Sequence, residues 1–195
     1  DQFSPHQDII SARLRTLATL PGLKRGILVV PISTLAQRIA PRGWLGGHSL
    51  SLGVKQKLDG IEFRRQREAA GYTAVDTVFE HGEFAVRGSL IDLFPMGTEY
   101  PLRIELFDDE IDTLRRFDVD TQRTVENIES VELLPAKEFP LDKVAIRRFR
   151  DAWANAFNGD PKRCPVYQDV INGLAAGGIE YYLPLFFEET STLFD

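Results

Sequence analysis

The sequence predicts a mixed α/β and α+β chain. It reads as a piece of an open parallel α/β domain, followed by an antiparallel sheet-plus-helix module and a mostly helical C-terminal segment. Three observations carry this reading. A short continuous apolar run, GILVV at 26–30, sits between two helical patterns, as a buried parallel strand does. Several strand-like runs with turn signals between them crowd residues 72–134. After Pro135 the pattern becomes helical again. The expected divisions are 1–48, 49–135 and 136–195.

Ser4-Pro5-His6-Gln7 reads as a helix start, with Ser4 as N-cap, Pro5 in the first turn and Gln7 closing a capping box. Ile10, Leu14 and Leu17 follow at helical spacing, and Pro21-Gly22 ends the helix. After the run at 26–30, Ser33 is expected to cap a short helix over 34–40 that Pro41 terminates. The glycine-rich RGWLGGHS at 42–49 reads as a domain boundary. Residues 55–70 suit an amphipathic helix, with Leu58, Ile61 and Phe63 inward and Lys57, Arg64, Arg65 and Arg67 outward. Gly71 is its stop.

The stretch HGEFAVRGSLIDLFP, 81–95, reads as two strands meeting at Arg87-Gly88. The second is apolar on both faces apart from Asp92, so it is expected to be central and covered. RIELFDDEIDTLRRFD, 103–118, reads as the next hairpin. Side chains alternate along a strand, so Ile104 and Leu106 face the core while Arg103, Glu105 and Phe107 share the other face with Arg87. An exposed aromatic among charges is a candidate partner-binding pattern. Further on, Asp142 caps a helix over 143–157, with Val144, Phe149, Trp153 and Phe157 available for burial. A second helix is expected over 165–174. The aromatic tail IEYYLPLFFE must pack, either on this chain or on segments outside it.

Composition excludes several functions. The net charge is −6 overall. Within 49–134, 10 Lys and Arg against 18 Asp and Glu leave −8, a poor grip for duplex DNA. One cysteine, Cys164, excludes an internal disulfide and suggests a reducing, cytoplasmic setting. No apolar run approaches the roughly 20 residues that cross a bilayer, so no membrane is expected. No G-x-x-x-x-G-K-[ST] string is present, so no nucleotide phosphate cradle is expected here. The carboxylates Asp108, Asp109, Glu110 and Asp112 lack the calcium-loop spacing and read as a solvated turn. No catalytic residue and no metal ligand is nominated. The start at Asp1, without methionine, reads as that of a fragment.

With these residues laid out, FAVRGSLIDLFP followed by PLRIELFDDEIDTLRRFD resembles the second domain shared by the excision-repair helicase UvrB and the transcription-repair coupling factors. The flanks SPHQDIISARLRTL, EFPLDKVAIRRFRDAW and GIEYYLPLFFE are similar to the coupling factors. The resemblance implies that 1–48 is part of a degenerate RecA-like domain 1a, 49–135 is domain 2, and 136–195 is a domain 1b segment. It implies UvrA as the partner, with Arg87, Arg103, Glu105 and Phe107 as the contacting positions. It also implies that ATP, magnesium, RNA polymerase and double-stranded DNA belong to the full-length protein, an ATP-dependent translocase, and that this part has no cofactor and no catalysis. The alternative is a UvrB-type fragment that engages damaged DNA. UvrB carries an aromatic-rich hairpin just before the helix that starts here at Ser4, whereas DQFSPH has only Phe3.

Overall fold

The computed structural model describes residues 4–195; Phe3 lies outside the described residues. The chain gathers into two compact units. Gly22–Gly46 and Glu138–Asp195 belong to one, and His6–Pro21 and Gly47–Lys137 to the other.

The unit built on 47–137 is a mixed sheet with helices, in line with the expected fold class. Helix α1 (Gln7–Thr19) is counted with it. The N-cap of α1 is His6, whose Nδ1 accepts from Asp8 N–H at 3.4 Å. Ser4 is not the cap: its hydroxyl donates to Glu180 and accepts from Gly178 N–H. Leu14 and Ser11 of α1 are buried, and the Ser11 hydroxyl accepts from Gly97 N–H at 2.8 Å.

In the other unit, the expected parallel strand at 26–30 does not form. Ile27 and Val29 are 92% and 87% exposed, and no strand lies beside them among the described residues. Without neighbours an apolar run has neither ladder partners nor a covering layer. Helix α2 (Ile32–Leu35) is shorter than expected, and its N-cap is Pro31, so Ser33 caps nothing. The glycine-rich boundary is helical: α3 (Arg42–His48) starts with Trp44 N–H on Pro41 C=O. Tertiary contacts offset the poor helix propensity of its glycines. The Trp44 ring meets Phe187 edge-on at 5.6 Å, and Arg42 donates to Asp195 C=O at 2.8 Å.

Strand β1 (Leu50–Gly53), a stretch given no element from the sequence, pairs antiparallel with β8 (Ser130–Leu133). Helix α4 (Gly60–Ala69) begins at Asp59, whose carboxylate accepts from Ile61 and Glu62 N–H. Gly71 follows with φ 88°, the left-handed turn that favours glycine. Phe63 and Leu58 are buried as expected. Ile61, expected inward, is 85% exposed; Arg67, expected outward, is buried, with its guanidinium 5.7 Å and 5.6 Å from the Phe63 and Tyr72 ring centres. The helix therefore turns Arg67 onto two aromatic rings, an arrangement with cation–π character.

The main sheet orders its strands β2-β3-β4-β5-β6-β7. They are β2 (Thr73–Ala74), β3 (Glu83–Arg87), β4 (Leu90–Leu93), β5 (Leu102–Phe107), β6 (Glu110–Phe117) and β7 (Thr124–Asn127). Only β2–β3 is parallel among these pairs. Gly88, at φ 62°, closes the β3–β4 hairpin. Val86, Ile91, Ile104 and Leu114 lie opposite one another, and the last three are buried aliphatics at the sheet centre.

The C-terminal region holds α5 (Lys143–Ala156), capped by Asp142 as expected, and α6 (Pro165–Ile171). Phe149 and Trp153 are buried, whereas Val144, expected to be available for burial, is exposed. The aromatic tail packs on this chain as a 3-10 helix, Ile179–Phe186. Its Phe186 stacks on Phe139 at 5.1 Å, and Tyr182 stacks on Trp153 at 5.3 Å.

Candidate partner-binding face

The register places the nominated residues on one surface. Ala85, Asp92, Arg103, Arg115 and Asn127 lie opposite one another across β3 to β7. Arg87, Leu90, Glu105 and Thr113 form the neighbouring row. Strand β5 runs straight through the register shift beside Glu105, so Arg103, Glu105 and Phe107 keep strict alternation and share this face. Phe117, two residues beyond Arg115, is on it too.

At the centre is Asp92, 2% exposed. Arg103 grips it as a fork, Nε on Oδ1 at 2.7 Å and Nη2 on Oδ2 at 2.9 Å, the planar geometry that favours arginine on carboxylate. Arg87 Nη2 donates to Oδ2 as well. Arg103 also donates to Gln122 Oε1 at 3.2 Å, and its guanidinium lies 4.5 Å from the Phe117 ring centre. Hydrogen bonding to Asp92 raises the Arg103 pKa above the ordinary arginine value, against the pull of desolvation. The turn that delivers Gln122 is held by Asp118, whose carboxylate accepts from the Thr121 hydroxyl and N–H; those bonds hold its pKa below the usual range.

The nominated residues thus differ in kind. The Arg87 side chain is 47% exposed, that of Arg103 only 20%. Glu105 accepts from Arg115 and from Thr113. Phe107, at the rim beside the Asp108-Asp109 turn, is 74% exposed and uncovered by α4. Arg87 and Arg103 share the Asp92 carboxylate. Within this ion-pair cluster three guanidiniums, Arg87, Arg103 and Arg115, meet two carboxylates, Asp92 and Glu105; Glu83, on the same side of β3, accepts from Phe79 and Glu80 N–H.

Sequence reasoning missed Asp92 as the hub, and with it Arg115, Gln122 and Phe117. The signal was present: a lone acid in an otherwise apolar strand has to be paired to be buried. As a catalytic group Asp92 has both oxygens committed to guanidiniums. The turn carboxylates are engaged elsewhere, Asp109 by Lys57 at 2.8 Å and Asp112 by Lys55 at 3.3 Å. Among the described residues no group of three His, Cys, Asp or Glu is placed to hold a metal ion. No helix among them is long and apolar enough to cross a membrane.

Residues 50–139 match the UvrB interaction domain family. Over 97% of its length the chain is 55% identical to the transcription-repair-coupling factor of Escherichia coli K12. It is 52% identical over 100% of its length to that of Haemophilus influenzae, and 37% over 83% to that of Staphylococcus aureus Mu50. The chain spans 16%, 17% and 14% of those relatives' lengths. It is thereby recognised as a segment of the transcription-repair-coupling factor family that carries a UvrB interaction domain.

Proposed function

We propose that this segment is a non-catalytic recruiting module that binds UvrA through the face of Arg87, Arg103, Glu105 and Phe107, and so links a stalled RNA polymerase to nucleotide excision repair. The observation that carries the reading is Phe107, a large aromatic 74% exposed on the same face as two arginines that share a single buried carboxylate. An aromatic anchor beside arginine is hot-spot chemistry. On a module of net charge −8, two arginines beside an exposed aromatic suit an acidic patch on a protein rather than a phosphate backbone. ATP, magnesium, duplex DNA and RNA polymerase are assigned to the rest of the longer protein, and the setting to the bacterial cytoplasm.

The test is a titration of UvrA, double-stranded DNA and ATP, each separately, onto this chain. UvrA is expected to bind. Phe107→Ala is expected to weaken it by about 30-fold, equivalent to about 2 kcal/mol, with an unchanged melting temperature. Duplex binding with no UvrA binding would favour the UvrB-type damage-engaging reading, and ATP turnover above a buffer blank would refute the non-catalytic one.

A further inference from the structure

We infer that Asp92 is the positioning residue of this face. It anchors through Arg103 and thereby presents Arg87, held by one nitrogen, with its remaining donors offered to one partner carboxylate. The inference rests on the UvrA-binding reading and goes beyond it by dividing labour within the face.

The two arginines are not equivalent. Arg103 commits Nε and Nη2 to Asp92, shares Nη2 with Gln122 and lies over Phe117, with a side chain only 20% exposed. Only Nη1 remains uncommitted, on a side chain that is largely covered. Arg87 commits one nitrogen, Nη2, to Asp92, and its side chain is 47% exposed. A guanidinium carries five N–H donors, so the outer edge of Arg87 keeps donors to offer. Charge assigns it the same role. Arg115 is matched by Glu105, and Arg87 shares the one Asp92 carboxylate with Arg103, so Arg87 keeps charge for a partner.

Holding a long side chain in place before association lowers the ordering cost of binding. Asp92 is suited to this because it is buried in the most central apolar strand of the face and paired across β4–β5 with Arg103 itself. Arg103 is thus a positioning residue as well, and Arg87 and Phe107 are the groups that touch the partner.

The experiment is a double-mutant cycle in UvrA affinity, using this chain and its Arg87→Ala, Asp92→Asn and doubly substituted forms, below their melting temperatures. Phe107→Ala is the control. In the parent, Arg87→Ala is expected to weaken binding about 30-fold. In the Asp92→Asn background, where Arg87 is no longer held, the same truncation is expected to cost less than about 3-fold, a non-additivity that a merely structural role does not produce. If Asp92→Asn does not fold, Arg103→Lys replaces it, because lysine keeps the charge and loses the fork; the same loss of coupling is expected. Additive losses would overturn the positioning role. An unchanged affinity for Arg87→Ala beside a weakened Phe107→Ala would overturn the inference and leave the UvrA reading standing. Unchanged affinity for both would overturn the two together.

Discussion

Two apolar runs of this chain, LIDL at 90–93 and GILVV at 26–30, have opposite fates. The first is strand β4, hydrogen-bonded to β3 on one side and β5 on the other, with Ile91 and Leu93 fully buried. The second has no strand beside it among the described residues, and Ile27 and Val29 stand in solvent. The run that is buried contains a charge, and the run that is exposed contains none. Burial follows from the availability of partner strands and covering side chains rather than from hydropathy alone. Asp92 is tolerated inside β4 because Arg103, its partner in register on β5, and Arg87, diagonal to it on β3, bring two guanidiniums to it.

The largest effect expected from breaking the contrast is at that aspartate. Asp92→Ala leaves Arg103 with its fork unpaired, and its unfolding free energy should fall by about 3–5 kcal/mol in chemical denaturation. A loss below about 1 kcal/mol would place the pair in effectively solvated surroundings.

The aliphatic side of the contrast comes next. Ile104→Ala, truncating a side chain with no exposure, should cost about 2–5 kcal/mol. Hydrogen exchange sharpens the same point: the amides of β4 should approach global protection, and those of 27–29 should exchange as open chain.

Alkaline titration probes the covered side by another route. Tyr72 is buried, its hydroxyl donating to Leu134 C=O at 2.6 Å, and burial pushes its pKa from 10.0 to about 12. The folded state therefore holds the phenol proton more tightly than the unfolded one. That contribution is intact below pH 10.0 and is lost as pH rises through about 12. The fall in stability over that window should diminish in Tyr72→Phe. The smallest effect belongs to the uncovered run, where Ile27→Ala should change stability by no more than about 0.5 kcal/mol. A cost near that of Ile104→Ala would mean that the run is covered in solution.

Much of the candidate face was legible before any coordinates, because period-2 alternation depends only on strand conformation. It placed Arg103, Glu105 and Phe107 together, and β5 keeps them so through the adjacent register shift. Local capping chemistry was legible for the same reason: Asp142 caps α5 through Val144 and Ala145 N–H, and Gly71 takes a positive φ after α4. Readings that needed to know a neighbour went astray. Ser33 caps nothing, Val144 and Ile61 point to solvent, and Arg67 turns inward onto two rings. Strand β1 went unassigned because its partner, β8, is about eighty residues further on.

The sequence by itself determined the antiparallel module, the composition of its exposed face and the family to which the chain belongs, since these rest on alternation, caps and long contiguous motifs. Tertiary structure alone decided which arginine is anchor and which is offered. That choice depends on a buried carboxylate in β4 meeting a guanidinium from β5 directly across the ladder and another from β3, and no local pattern specifies which strands become neighbours.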